Sequence, residues 1–127
     1  MLEAIAGGFL VFFFIALALF QLALVLGAPL GEYAFGGQRA GLLPPGFRVA
    51  SFFSMVFALA IAGHYLAQLG VLTPMLAPDL NQVVNWGLVG FAGLSAIANN
   101  ITRSQKEKRL WGGPTVATLI AAVIIAL

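Results

Sequence analysis

The order of apolar and polar positions divides the chain into four greasy runs separated by three connections. Residues 4–27 carry no charge and one strongly polar side chain, Gln21; residues 48–70, 83–101 and 111–127 have the same apolar character, the third run being the least greasy. Runs of roughly 17 to 24 residues are what ~30 Å of hydrocarbon requires at ~1.5 Å of rise per residue. They predict an all-α fold, a four-transmembrane-helix bundle in which residues 1–127 form a single integral membrane domain. No Lys or Arg precedes the first run, and its apolar stretch is longer than that of a signal peptide, so it is expected to remain as a permanent helix.

The connections differ in kind. The first, residues 28–47, is rich in glycine and proline (Gly31, Gly36, Gly37, Gly41, Gly46; Pro29, Pro44, Pro45), which prevents continuous helix and permits tight turns. It also carries Leu30, Tyr33, Phe35, Leu42, Leu43 and Phe47, too apolar for a disordered linker. The loop is therefore expected to be ordered and packed under the helix ends, with Glu32 near Arg39, Arg48 or Arg103, and a Glu32 salt bridge to Arg39 or Arg48 as the simplest arrangement. Its glycine spacing is no phosphate loop, because no strand precedes it and no Gly-Lys-Ser/Thr follows. The second connection is short, broken by Pro74 and Pro78, with Asp79 or Asn81 placed to cap the next helix. Residues 102–110 hold Arg103, Lys106, Glu107, Lys108 and Arg109 and read as a solvated charged hairpin, after which Trp111 marks a membrane interface.

Composition agrees with this division: 61% hydrophobic and 8% charged residues lie far outside the soluble globular class. The absence of cysteine excludes disulfides, thiolate nucleophiles and cysteine metal sites. All six basic residues fall in or beside the first and third connections (Arg39, Arg48, Arg103, Lys106, Lys108, Arg109). The positive-inside rule then puts loops 28–47 and 102–110 in the cytoplasm and both termini outside a cell membrane. Near the basic loops the expected partner is anionic lipid of the bilayer, with no nucleic acid partner.

Depth along the helices locates the polar side chains. His64 lies sixteen residues beyond Arg48, ~24 Å along the axis, beside the outer headgroups, where it reads as an anchor. A single His without Cys and without intramembrane carboxylates builds neither a haem pair nor a zinc site, so no metal or cofactor is expected. Gln21, Ser51, Asn99, Asn100, Thr115 and Thr118 all fall in the cytoplasmic half. Their convergence would make an inward-facing polar vestibule lidded by the Glu32 loop and rimmed by Arg39, Arg48, Arg103 and Arg109. The plainer alternative is that these amides and hydroxyls satisfy backbone groups and bond between helices. Gly87, Gly90 and Gly93 recur every three residues, a stripe of small side chains expected to form a close-packing face. No catalytic set is evident.

Several of these positions carry a resemblance: Gly27-Ala28-Pro29, Gly31, Gly36-Gly37, Leu43-Pro44, Arg48 and Ser51, then Asn100, Arg103-Ser104, Glu107, Trp111 and Pro114. The pattern resembles a group of small, uncharacterised four-helix bacterial membrane proteins. The resemblance implies fold and topology and carries no activity over. Three functions remain open from the sequence. The first is a non-enzymatic multi-pass protein acting through helix packing with a second copy or a membrane partner. The second is a small oligomeric transporter or channel using the vestibule. The third is a membrane enzyme on a lipid or anionic substrate, with Glu32 as acid or base.

Overall fold

The computed structural model describes Met1–Leu127. Four helices alternate in direction: α1 Leu2–Val25, α2 Pro45–Gln68, α3 Pro78–Ile101 and α4 Gln105–Ala126, with two 3₁₀ turns, Gly31–Tyr33 and Phe35–Gly37, in the first connection. Local chemistry explains the ends. α1 and α2 each stop at a glycine in the left-handed region, Gly27 (φ 96°) and Gly70 (φ 78°). Each closes a Schellman motif, with Ala28 N–H donating to Ala23 O at 2.9 Å and Val71 N–H to Leu66 O at 3.0 Å. α2 and α3 both begin on proline, Pro45 and Pro78, whose missing N–H costs nothing at the first helical position.

These proline starts move two boundaries, since α2 begins at residue 45 rather than 48 and α3 at 78 rather than 83. Neither Asp79 nor Asn81 caps α3; the N-cap is Ala77, and the Asn81 N–H already donates to Ala77 O at 2.8 Å. The larger correction concerns the charged segment. Residues 105–110 are the opening turns of α4, not a hairpin, because Ser104 is the N-cap and its hydroxyl accepts the Glu107 N–H at 3.1 Å. This is half of a Ser-x-x-Glu capping box.

α1 is the central helix, packed against α2 on one side and α4 on the other, while α3 packs along α4. The core draws Leu10, Phe14 and Ala18 from α1, Ala58, Ile61, Ala62 and Tyr65 from α2, Ala92 from α3 and Ala121 and Ala122 from α4. Ala58 and Ala62 let the Phe14 and Tyr65 rings stack at 6.2 Å. Where α3 meets α4 closely, the small residue is Gly112, at which a Cβ would lie 2.9 Å from Asn100 Oδ1. The Gly87, Gly90 and Gly93 stripe is not used in this way. A Cβ at Gly87 or Gly90 meets nothing within 4 Å, and at Gly93 only Leu119 Cδ1 at 3.9 Å.

Only 25 of 127 residues are buried, so most of the apolar mass faces outward, including Phe12, Leu19, Phe53, Leu94 and Ile120. Such a surface belongs in lipid. α1, α2 and α4 are long and apolar enough to cross a membrane, with mean hydropathy of 2.6, 1.8 and 1.5 over their most apolar windows. α3 stands apart from these three because it carries Asp79, Asn81, Gln82, Asn85, Asn99 and Asn100. The molecule is thus an all-α four-helix bundle with three candidate membrane spans, as a multi-pass membrane protein has.

Candidate functional site

The first connection folds onto the ends of the helices in three layers. At its base, the Arg48 guanidinium donates from Nε (3.1 Å) and Nη2 (2.7 Å) to Val25 O, satisfying an orphan carbonyl at the negative end of the α1 dipole. Above it, Leu24, Ala34 and Leu43 form a small second core flanked by Phe20, Leu30, Phe35 and Phe47. Gly31 crosses beneath the returning chain: its N–H donates to Gly41 O at 2.9 Å, and a Cβ there would stand 2.1 Å from Arg39 O.

The third layer docks the loop on α4. Ser104 Oγ donates to Glu32 O, Trp111 Nε1 donates to Tyr33 O at 3.1 Å, and the Gly36 N–H donates to Glu107 Oε2 at 3.0 Å. Phe35 (φ 52°), Gly36 (φ 68°) and Gly37 (φ 72°) are successive left-handed residues, a turn that aims the Gly36 N–H at the carboxylate. At Phe35 that conformation is strained, typically by ~1–3 kcal/mol, and the contacts around it hold it in place. Gly37 lies so close to Ser104 that a Cβ would sit 2.6 Å from Ser104 Cβ.

The expected partners of Glu32 are thereby corrected. Its salt bridge is to Lys106, because α4 starts early enough to bring that side chain alongside, while Arg48 is occupied by α1. Arg39 and Arg103 are exposed and pair with no carboxylate. Lys106 also stands 5.8 Å from the centre of the Tyr33 ring. Trp111 is no headgroup anchor: its indole packs inward against Phe13 (6.0 Å) and Phe20 (5.1 Å).

Beneath the docked loop is a cavity of about 160 Å³. It lies where α1 and α3 diverge, with α4 as its back wall. α1 contributes Phe13, Phe14, Leu17, Phe20 and Gln21; α3 contributes Phe91, Ala92, Ser95 and Asn99. Tyr33, Ala34 and Phe35 roof it, and Glu107, Trp111, Thr115 and Thr118 line α4 at successive i, i+4, i+8 and i+11 positions, one helix face. Glu107 is 6% exposed and has no ion-pair partner; the Gly36 N–H is its hydrogen bond. Gln21 Oε1 is buried at the same site with no partner. A buried carboxylate without a counter-ion is costly, and such costs are retained where a site needs them.

The sequence-derived candidates separate into two groups. Gln21, Asn99, Thr115 and Thr118 are brought together in the cavity wall, whereas Glu32, Arg39, Arg48, Ser51, Asn100 and Arg103 lie outside it. The hydroxyls and two amides also serve the backbone. Thr115 donates to Trp111 O at 2.7 Å, Thr118 to Pro114 O at 2.8 Å, and Asn99 to Ser95 O at 2.7 Å. Asn100 bridges Ala96 O and Gly112 O. Glu107, expected on a solvated hairpin, is the most deeply buried charge in the protein. A signal for it existed: Ser104-x-x-Glu107 starts a helix, and the Thr115 and Thr118 face, carried back by four and eight residues, reaches Trp111 and Glu107.

At the opposite end a second polar cluster joins α2 to α3. His64 Nε2 and Asn85 Oδ1 are 2.7 Å apart, Asn85 Nδ2 donates to Gln68 Oε1 at 3.2 Å, and Gln68 and Asn81 exchange bonds of 2.7 and 2.9 Å. His64, expected as an anchor, is thus part of an interhelical network. Comparison with family models, with curated proteins and with solved structures finds no match.

Proposed function

We propose that this is a four-span membrane protein that binds a small amphipathic molecule in the cavity beneath the glycine loop. The observation that carries the reading is Glu107, a buried carboxylate without a counter-ion in a wall that mixes aromatic rings with neutral polar side chains. α3 supplies the fourth span: it is a 24-residue helix antiparallel to α4, and its Asn81 and Asn85 side chains are turned to the seam with α2 while those of Gln82, Asn99 and Asn100 bond to backbone carbonyls. All six basic residues belong to the loop end of the bundle, so the cavity faces the cytoplasm and both termini lie outside. Arg39, Arg103, Lys108 and Arg109, exposed around the loop end, meet anionic headgroups there. Catalysis is not part of the reading, because the Thr115 and Thr118 hydroxyls already give their protons to backbone carbonyls.

The test uses Trp111 as reporter in a Trp86→Phe background, in detergent. Benzyl alcohol, of a size suited to a cavity of ~150 Å³, is expected to change Trp111 fluorescence saturably. Ser95→Phe, which fills the cavity from α3, is expected to abolish the change. A signal from the Trp86→Phe protein that never saturates would overturn the proposal.

A second reading rests on the outward α3 face. Gly87 and Gly90 have open space where a Cβ would stand, beside exposed Trp86, Leu94 and Ile97. A second copy seated there would approach closely, as small residues permit between membrane helices. Gly90→Leu is expected to lower the oligomer mass in detergent solution; an unchanged mass would assign this face to lipid.

A further inference from the structure

Resting on the cavity reading above, we propose that the molecule it takes is a small organic cation, an ammonium head on a short apolar body, with Glu107 as its counter-ion.

Three independent features of the wall converge on that class. The first is charge. Glu107 brings the one ionisable carboxylate of the lining, and no Lys, Arg or His lines the cavity. Four cations lie within four residues of Glu107 along the chain, but Arg103, Lys106, Lys108 and Arg109 are all exposed, and Lys106 is taken by Glu32. The charge is therefore left for something that enters from outside. An anion would be repelled by the carboxylate, and a neutral guest would leave it without a counter-ion.

The second feature is the sense of the hydrogen-bonding groups. Thr115 and Thr118 donate their hydroxyl protons to Trp111 O and Pro114 O, so that their oxygens present lone pairs to the cavity. Asn99 spends an amide proton on Ser95 O and keeps Oδ1 free, and Gln21 Oε1 is buried without a donor. Against these acceptors stand the second Asn99 amide proton, the Gln21 amide nitrogen and the Ser95 and Tyr33 hydroxyls, of which the hydroxyls also accept. An acceptor-rich wall suits a guest that brings positive charge and donors.

The third is the ring system. Phe13 and Phe20 both meet Trp111 edge-on, with interplanar angles of 86° and 71°. Tyr33 and Phe35 come down from the loop to the same cavity. Rings set at steep angles present faces as well as edges, and the negative face of an aromatic ring attracts an ammonium group, tryptophan most strongly. Rings together with one carboxylate are the recognition chemistry of quaternary and alkylated ammonium ions. The loop that supplies Tyr33 and Phe35 is also the element that tethers Glu107 through Gly36, so lid and counter-ion are set by one piece of chain.

The discriminating experiment compares choline with 3,3-dimethylbutan-1-ol, its neutral carbon isostere, on the Trp86→Phe protein at constant ionic strength. Choline is expected to bind at least about tenfold more tightly than the alcohol, the difference being the cation's attraction to carboxylate and rings in a desolvated site. In Glu107→Gln the preference is expected to fall to about twofold or less. That variant retains an oxygen for the Gly36 N–H; should it fail to fold, the comparison on the protein with Glu107 decides alone. Equal binding of the two compounds, or a choline effect matched by sodium chloride, would overturn the cation inference while leaving a ligand cavity in place if benzyl alcohol still saturates. Failure of all three to bind would overturn the cavity reading itself.

Discussion

The two ends of the bundle both bury polar side chains between helices, and they treat them oppositely. At the end bearing the termini, His64, Gln68, Asn81 and Asn85 form a network in which each side chain has a protein partner, and Gln82 donates to Ala126 O at 2.6 Å to finish α4. At the loop end, the Glu107 carboxyl is buried without an ion-pair partner and Gln21 Oε1 has no donor. A satisfied buried network rigidifies and fixes how helices meet; an unsatisfied one is costly. The first arrangement is that of a clamp between α2 and α3; the second is the one on which the proposed ligand site rests. Polarity at depth is common to both, and only the state of the partners separates them.

The comparison breaks most visibly at the loop. Gly31→Ala places a Cβ into Arg39 O and Gly41 O, which are backbone atoms with nowhere to go. It is expected to cost ~3 kcal/mol or more, as severe overpacking does, and to undock the loop. Hydrogen exchange should then become fast across residues 31–43 while the helices stay protected; continued slow exchange would show that the loop tolerates the extra carbon.

Asn85→Ala attacks the clamp. Asn85 is 2% exposed and joins His64 to Gln68. Its loss leaves both partners short of a bond in a buried seam, an expected penalty of ~1–3 kcal/mol. A lowered melting temperature in detergent, with benzyl alcohol affinity unchanged for the protein that remains folded, would keep the two ends distinct. A loss of affinity without a loss of stability would merge them.

The smallest expected effects on stability come from the two glutamates. Glu107→Gln exchanges a buried carboxylate without an ion-pair partner for an amide that still offers an oxygen to the Gly36 N–H, so the melting temperature is expected to change little while the preference for choline over its neutral isostere falls away. For Glu32→Gln, whose side chain is 42% exposed beside a 55% exposed Lys106, the loss is ~0–1 kcal/mol, as for a surface ion pair, and binding persists. This inverts the ranking that the sequence alone suggests, in which Glu32 matters more than Glu107. Equal loss of binding in both variants would return Glu32 to the site.

Much of the scaffold was legible before any coordinates. Gly27 and Gly70 mark helix ends because only a residue without a Cβ takes the left-handed C′ position at no cost, whereas Pro45 and Pro78, read from the sequence as breaking helix, in fact open α2 and α3. Of the six polar positions grouped by depth along the helices, four line the cavity. Gln21, Asn99, Thr115 and Thr118 share a depth that helical rise predicts, but Ser51, Asn100 and the arginines share the depth and not the facing, which rise alone cannot distinguish. The glycine stripe failed as an internal contact for the same reason: spacing shows that Gly87 and Gly90 lie on one face and says nothing of what that face meets.

By itself, then, the sequence determined the helices, their number, their lipid-facing character and the ordered loop between the first two, because hydrophobic run length, glycine and proline act locally. Tertiary structure decided the rest. Whether Glu107 is solvated or buried depends on a loop more than seventy residues earlier swinging over the start of α4, and whether it is paired depends on Lys106 reaching Glu32 instead. Desolvation and counter-charge are properties of everything that surrounds a group in space, and no stretch of chain carries them on its own.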